Sequence, residues 1–190
     1  MEELIAYDKE LFLWLNSLGS ASWDGFWNLI TNKLTSIPLY AVLLFLIFKK
    51  YGGKGTLITI VIIAVLIACT DQLANLFKHG FERPRPCRVE EWKGVIRYVA
   101  ERCGRYGYFS GHAANSMAAA VFAGLALQSK YRYLIFLLLF WSVIVGYSRI
   151  YLGVHYPGDV LTGWMIGAII GGALYAVQRY LINRYTSYTA

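Results

Sequence analysis

Long blocks of apolar residues, separated by short basic turns, constrain the fold of this chain more than any other feature. The longest block covers residues 56–77, enough for one helix to cross the ~30 Å hydrocarbon core of a bilayer. Hydrophobic residues make up 57% of the chain and charged residues only 15%, unlike the composition of a soluble domain. The sequence therefore predicts an all-α fold, a polytopic transmembrane helix bundle.

Five blocks predict about five membrane spans within a single membrane-embedded domain, residues 1–190. The predicted spans are residues 34–48, 56–78, 110–127, 133–150 and 160–177. The last span carries Gly163, Gly167 and Gly171 on one stripe, and such small residues let neighbouring helices approach closely. The polar segment 79–109 is predicted to be an extracytoplasmic loop, with a short surface helix near residues 89–100.

Residues 1–33 have a different pattern from the spans. Apolar side chains recur there at intervals of three and four residues, at Leu4, Tyr7, Leu11, Trp14 and Leu18. This spacing predicts amphipathic helices that lie at the membrane interface, although it leaves open whether the segment crosses the bilayer.

The basic turns predict how the bundle is oriented. Alternation of the spans puts the turns at Lys49 and Lys130 on the same side as the basic C-terminal tail, and the positive-inside bias makes that side cytoplasmic. The loop 79–109 is also basic, but it contains four acidic residues and is expected to face outward. A formal charge of +7 in such a chain points to anionic lipid as partner and not to nucleic acid. We expect a protein integral to the cytoplasmic or inner membrane.

The cysteines fit this arrangement. Cys87 and Cys103 lie in the one polar loop and form a possible disulfide, if the loop faces an oxidising compartment. Cys69 falls inside an apolar block and is expected to be a buried free thiol. The sequence leaves the oligomeric state unknown.

Three separate stretches of polar residues meet at the outward face in this topology. The first runs from Lys78 to Pro86, the second is Ser110-Gly111-His112, and the third runs from Ser148 to Asp159. In the third, His155 and Asp159 are four residues apart with Pro157 between them, which suits the first turn of a helix. A carboxylate at that spacing can accept from one imidazole nitrogen and leave the other free as a nucleophile.

These stretches resemble the three-part signature of the type 2 phosphatidic acid phosphatase superfamily. That signature is a lysine, six residues, Arg-Pro; then Pro-Ser-Gly-His; then Ser-Arg, five residues, His, three residues, Asp. The match covers Lys78 to Asp159 with the internal spacing intact. One position departs, because Phe109 stands where the family usually has proline. Two Arg-Pro pairs occur, and only Arg85-Pro86 fits the spacing, so Arg83 is a weaker candidate for a phosphate ligand.

The resemblance implies roles for the matched residues. His155 is the implied nucleophile, Asp159 orients it, and His112 protonates the leaving oxygen and then activates water. The implied phosphate-binding residues are Lys78, Arg85, Ser110, Gly111 and Arg149. Glycine at 111 lets the backbone approach a phosphate at the positive end of the helix dipole. One histidine must start neutral and the other protonated, which predicts a bell-shaped pH profile.

Asp71 and Asn75 share a helix face with Lys78, and we assign them a supporting role because a carboxylate facing substrate phosphate would repel it. No cofactor and no metal are implied. The expected activity is metal-independent hydrolysis of a lipid phosphate monoester or pyrophosphate through a phosphohistidine intermediate. Substrates implied by the resemblance are phosphatidylglycerol phosphate, undecaprenyl pyrophosphate, phosphatidic acid and lipid A phosphate, and the sequence does not choose among them.

Two other functions compete with this prediction. A vanadium-dependent haloperoxidase has a similar site, but the known enzymes of that type are soluble. A transporter or a lipid-binding protein with a non-catalytic phosphate pocket is the second alternative. It explains less, because binding alone does not require a nucleophile, an acid–base histidine and an orienting carboxylate.

Overall fold

Residues 2–186, the part of the chain that this computed structural model describes, form helices joined by loops and contain no β-strand. Six α-helices follow one another: α1 (Glu2–Ser17), α2 (Ala21–Thr31), α3 (Ile37–Phe81), α4 (Gly111–Leu127), α5 (Leu134–Tyr151) and α6 (Pro157–Tyr185). Three short 3-10 helices are Lys33–Ser36, Pro86–Arg88 and Glu90–Trp92. The predicted all-α helix bundle is confirmed.

Helix α3 is interrupted at Gly52, and the chain reverses there. Gly52 has φ 67° and ψ −174°, a conformation that glycine adopts without the penalty of a Cβ atom. Before the break, Leu43 and Ile47 pack on α4, and after it Ile62 and Leu66 pack on the same helix. The two halves of α3 therefore form a hairpin, with residues 37–51 and 53–81 as its arms.

Helix α4 lies at the centre of the bundle because its neighbours can approach its backbone. Added Cβ atoms at Gly163, Gly167 and Gly171 of α6 would come within 2.6, 2.3 and 2.5 Å of carbonyl oxygens of α4 or its N-cap. The predicted glycine stripe thus packs directly on α4. This close fit fixes the start of α6 beside the start of α4, where the second and third motifs lie.

The number of membrane crossings stays a prediction. Within residues 2–186, three segments are long and apolar enough to cross a membrane: Lys33–Phe81, Leu134–Tyr151 and Pro157–Tyr185. Lys33–Phe81 has 49 residues and includes the Gly52 reversal, whereas Gly111–Leu127 is a shorter apolar helix. Cys69 is exposed on α3, so the expectation that it is buried within the protein is wrong.

The basic turns lie at the end of the bundle opposite the motifs. Lys50 donates to the carbonyl of Ala126 (2.8 Å) and to Ser129 Oγ (2.7 Å), which joins the Gly52 reversal to the α4–α5 turn. Arg179 lines a small cavity together with Lys50, so the last turns of α6 reach the same end.

The amphipathic N-terminal helix presents its predicted apolar stripe outward. Leu4, Tyr7 and Trp14 are 73%, 68% and 60% exposed, as expected for a surface that faces lipid. The opposite face packs on the protein, where Phe12 and Asn16 are buried.

The loop between α3 and α4 differs from its prediction. The surface helix expected near residues 89–100 is wrong, because only the 3-10 turn Glu90–Trp92 forms there. Gly94 follows with φ 79°, which ends any right-handed helix at that point. Cys87 and Cys103 are joined as a disulfide with their Cα atoms 6.3 Å apart.

Candidate active site

A cavity of about 770 Å³ opens between α3, α4 and α5 at the end of the bundle that carries the motifs. Polar side chains line its mouth: Lys33, Asp71, Asn75, Lys78, Arg85, Arg102, His112, Asn115, Arg149 and His155. Apolar side chains line its deeper part, among them Leu43, Ile47, Ile63, Leu66, Phe122 and Trp141. The cavity thus joins a cationic chamber to an apolar slot.

The structure brings the predicted site residues together at this chamber. Eight of them line the cavity: Lys78, Arg85, His112, Arg149, His155, Gly111, Asp71 and Asn75. Ser110 and Asp159 are fully buried directly behind its wall. Cys87 and Cys103 lie outside it, in the loop that carries Arg85.

His155 is held in one orientation by its own segment. Its backbone N–H donates to the carbonyl of Arg149 (3.2 Å), so the loop after α5 folds back on that helix. The imidazole Nδ1 lies 3.3 Å from Oδ2 of Asp159, so Nε2 is the ring nitrogen that this contact does not occupy. Burial, and then the positive charges of Arg85 and Arg149, hold the pKa of His155 well below its ordinary value. The imidazole is therefore neutral at physiological pH, the form required of a nucleophile.

The start of α6 positions Asp159. Pro157 occupies the first turn, and the Asp159 carboxylate accepts from the backbone N–H of Tyr156 (Oδ2, 3.0 Å) as in a capping box. The same oxygen faces His155. The hydrogen bond that caps the helix thus also aims the carboxylate at the imidazole.

The start of α4 places a buried hydroxyl beside the site. The backbone N–H of Ser110 donates to the carbonyl of Asp159 (2.9 Å), which ties the second motif to the third. Ser110 Oγ is buried and has no hydrogen-bond partner among residues 2–186. A hydroxyl in this state beside a helix N-terminus is a ready donor for an anion.

Two arginines reach the cavity from different elements. Arg149 on α5 is only 8% exposed, and one of its terminal nitrogens donates to Thr31 Oγ1 of α2. Its Nε has no partner within the described residues. Arg85 donates through Nε to the carbonyl of Tyr106 (2.9 Å) and packs against Gly104, so its guanidinium is fixed by the loop.

Asp71 is held by a neighbouring amide side chain, that of Asn115. Its Oδ1 accepts from Asn115 Nδ2 (2.8 Å), and Asn115 Oδ1 accepts from Thr70 Oγ1 (2.5 Å). This chain joins α3 to α4 directly below the cationic chamber. The supporting role expected for Asp71 stays a prediction.

Sequence reasoning missed three charged residues near the site, Lys33, Arg102 and Asp8, and considered a fourth, Arg83, only as a weaker phosphate ligand. Lys33 and Arg102 line the cavity but lie outside all three motifs. Arg83 donates to Asp159 Oδ1 (2.9 Å) on the side away from the cavity, and Asp8 accepts from Arg83 (2.7 Å). The second Arg-Pro pair was the available signal for Arg83. Asp8 had none, because it is one of several acids in a helix that resembles an interfacial one.

Comparison with known proteins gives two kinds of likeness. A sequence model of the PAP2 superfamily matches residues 53–183. Lipid A 4'-phosphatase of Bacteroides thetaiotaomicron is 34% identical over 192 residues, which cover 100% of this chain and 84% of that protein. Undecaprenyl-diphosphatase of Sulfolobus acidocaldarius is 30% identical over 89% of this chain and 77% of that protein.

A solved structure has a similar fold. It is the transmembrane PAP2-type phosphatidylglycerolphosphate phosphatase of Bacillus subtilis, with a TM-score of 0.73 and 17% identity. The alignment covers 100% of this chain and 90% of that one. The helix bundle seen here is thus a known membrane-protein fold.

Proposed function

This chain belongs to the PAP2 superfamily of membrane lipid phosphatases, and from that premise we propose that His155 takes the phosphoryl group of a lipid phosphate monoester as a covalent intermediate. One observation carries the proposal. His112 and His155 face a single cavity with three motif cations, Lys78, Arg85 and Arg149, and His155 is backed by Asp159. A nucleophile, an acid–base group and an anion site therefore share one chamber.

The first half of the reaction transfers phosphorus to nitrogen. Nε2 of neutral His155 attacks phosphorus while the bond from phosphorus to the lipid oxygen breaks. His112 gives its proton to that oxygen, so the lipid leaves as an alcohol. Asp159 accepts from Nδ1–H and stabilises the positive charge that the imidazole gains. Lys78, Arg85 and Arg149 stabilise the charge on the equatorial phosphoryl oxygens.

The second half returns the enzyme to its starting state. His112, now neutral, takes a proton from water, and the water oxygen attacks phosphorus. The bond from phosphorus to His155 breaks, inorganic phosphate forms, and both histidines regain their initial protonation states. Because opposite protonation states are needed at the outset, kcat/KM should follow a bell-shaped pH profile.

The apolar slot supports a lipid with a long chain. Fifteen residues of α3 separate Lys78 at the mouth from Ile63 in the deep part, a depth of about 22 Å along a helix. One leaflet of the hydrocarbon core is about 15 Å thick, so the slot can take one acyl chain over its whole length. The substrate class that we favour is a phosphorylated lipid A-type glycolipid, because that likeness extends over the full chain.

A lipid diphosphate is the second candidate. Lys33 and Arg102 add two cations to the mouth beyond those of the motifs, and a terminal diphosphate carries more charge than a monoester. Likeness to an undecaprenyl-diphosphatase over 89% of the chain supports this candidate as well.

The test is phosphate release by purified protein in detergent from a lipid A-type phosphate, a polyprenyl diphosphate and a short-chain phosphate ester. We expect turnover that excess chelator does not reduce, with kcat/KM highest for the glycolipid. His155→Ala should abolish turnover. In the wild type, rapid acid-free quenching should trap phosphohistidine that carries the label of the substrate phosphate. Turnover that persists in His155→Ala contradicts the proposed nucleophile.

We also propose that the site faces the extracytoplasmic side. The Cys87–Cys103 disulfide lies in the loop beside it, and such bonds persist in oxidising compartments. After brief reduction of intact cells, a membrane-impermeant thiol reagent should label these two cysteines. Labelling that requires permeabilised membranes reverses the proposed orientation.

A further inference from the structure

The carboxylate of Asp159 is held from two sides. Toward the cavity its Oδ2 faces His155 Nδ1 at 3.3 Å, and away from the cavity its Oδ1 accepts from an Arg83 guanidinium nitrogen at 2.9 Å. Asp159 is fully buried. A buried carboxylate needs an opposite charge nearby, and Arg83 supplies it without lining the cationic chamber.

Arg83 is itself fixed by Asp8 of the N-terminal helix. Its second guanidinium nitrogen donates to Asp8 Oδ2 at 2.7 Å, and the guanidinium carbon lies 3.9 Å from the centre of the Tyr156 ring. The other oxygen of Asp8 accepts from the backbone N–H of Gly158 at 2.7 Å, in the first turn of α6. Asp8 therefore contacts both the arginine and the helix that bears Asp159.

Two further residues on the same face of α1 hold this helix in place. Phe12 is fully buried and stacks on Trp92, with the ring centres 5.4 Å apart. Asn16 donates to three backbone carbonyls, of Arg97, Ile150 and Tyr151, and accepts from the backbone N–H of Arg97. Asp8 thus belongs to an anchored helix face.

We propose that Asp8 and Arg83 are positioning residues for catalysis, a relay that orients Asp159 and, through it, His155. The proposal rests on the nucleophilic role of His155 given above. When phosphorus is transferred, the imidazole becomes positively charged and depends on Asp159. Without Asp8, the positive charge of Arg83 would be balanced by Asp159 alone, and the carboxylate would stabilise the imidazolium less. Because Asp8 offsets the charge of Arg83, Asp159 can still stabilise the imidazolium. Neither Asp8 nor Arg83 lines the cavity.

The experiment compares Asp8→Asn, Arg83→Gln and the double variant in steady-state turnover of a lipid phosphate, with inorganic phosphate as competitive inhibitor. We expect kcat to fall about 10- to 100-fold, the range known for outer hydrogen-bond partners that orient metal-bound histidines. KM and the inhibition constant of phosphate should change less than about twofold, because neither residue touches the phosphate. The double variant should lose no more than Arg83→Gln alone, since both changes break one relay.

Two controls separate positioning from folding. Asp8→Glu keeps the charge and should recover most of the lost kcat. Glu90→Gln breaks an exposed ion pair with Lys93 in the same loop and should leave kcat unchanged. Thermal unfolding in detergent identifies any variant that lowers kcat through loss of structure. For such a variant, the Asp8→Glu result decides. If Asp8→Glu is stably folded but does not recover kcat, the relay is overturned.

The remaining outcomes are equally distinct. A rise of tenfold or more in KM and in the phosphate inhibition constant of Arg83→Gln, at unchanged kcat, makes Arg83 a phosphate ligand and overturns the proposal. Unchanged kcat in both single variants overturns it too. If the wild type yields no phosphohistidine at residue 155 under quench, the proposed mechanism fails, whatever the Asp8 variants do. If the wild type forms phosphohistidine at residue 155 and the Asp8 and Arg83 variants keep the wild-type kcat, only the relay is rejected.

Discussion

The two sides of the His155–Asp159 pair use their polar groups differently. On the cavity side, Ser110 Oγ and Arg149 Nε are buried without partners among residues 2–186. On the far side, Asp8 and Arg83 each make two polar contacts, and Arg83 also lies on the Tyr156 ring. The open donors of Ser110 and Arg149 are free for a ligand, whereas Asp8 and Arg83 make their polar contacts within the protein. We call these the binding side and the positioning side.

Removing a charge from the binding side should have the largest effect. Arg149→Gln leaves the cavity shape nearly intact but removes the buried cation that we propose binds the phosphoryl group, and we expect kcat/KM to fall about 10²- to 10³-fold. Phosphate release from the preferred lipid measures this loss. The matched control is Arg132→Gln, in the exposed turn at the opposite end of the bundle, which should behave as wild type. Equal losses in the two variants would show that the loss does not come from the binding side.

Opening the disulfide tests how the binding side is held. The Cys87–Cys103 bond closes a loop with a sequence separation of 16, and its removal should cost about 3 kcal/mol of stability. Arg85 is two residues from Cys87, so we also expect kcat/KM to fall severalfold in the double serine variant. Thermal unfolding and turnover, with and without reductant, measure both effects. Cys69→Ser is the control, and a similar response there would contradict the assignment.

The motifs predicted the binding side because their information is local. Pro157 and the four-residue spacing of His155 and Asp159 specify one helix start, and the spacing of Lys78 and Arg85 joins one helix end to its loop. The glycine stripe of α6 then places these starts against α4. The chemical roles of these residues stay predictions.

The positioning side could not be predicted because its contacts are distant and specific. Asp8 and Arg83 are 75 residues apart, and nothing in either segment indicates the other. The apolar stripe of α1 predicted a surface that faces the membrane. It did not indicate that the opposite face, where Phe12 and Asn16 are buried, packs on the protein. The surface helix expected near residues 89–100 was wrong because Gly94 has φ 79°, a left-handed conformation that glycine adopts readily and that ends a right-handed helix.

Narrowing the apolar slot should weaken binding of the lipid chain without changing the phosphoryl-transfer step. Ala119 of α4 lines the slot, and Ala119→Leu should raise KM for a long-chain lipid about tenfold through overpacking, an effect of roughly 1–3 kcal/mol. A short-chain phosphate ester should be hydrolysed with unchanged kcat and KM, because it does not reach this depth. Ala119→Ser keeps the slot open and is the control. Equal effects on both substrates would show that the slot does not hold the chain.

The smallest effect is expected at the Asp24–Arg97 ion pair, which lies outside the positioning side formed by Asp8 and Arg83 and supports the fold and not the relay. Asp24 of α2 accepts from Tyr151 (2.7 Å) and pairs with Arg97 (2.7 Å), and these contacts hold the pKa of Asp24 below its ordinary value. Its folded pKa is depressed, so its stabilisation is present above the unfolded pKa of about 3.9 and is lost as pH falls through the lower folded value. Asp24→Asn should therefore lower stability by about 1 kcal/mol at neutral pH, since the pair is partly exposed, and the difference from wild type should shrink below about pH 4. Thermal unfolding between pH 3 and pH 8 measures this, with kcat at pH 7 expected within about twofold of wild type. A loss of kcat as large as that of Asp8→Asn would extend the relay to α2 and remove the distinction between the Asp24–Arg97 and Asp8–Arg83 ion pairs.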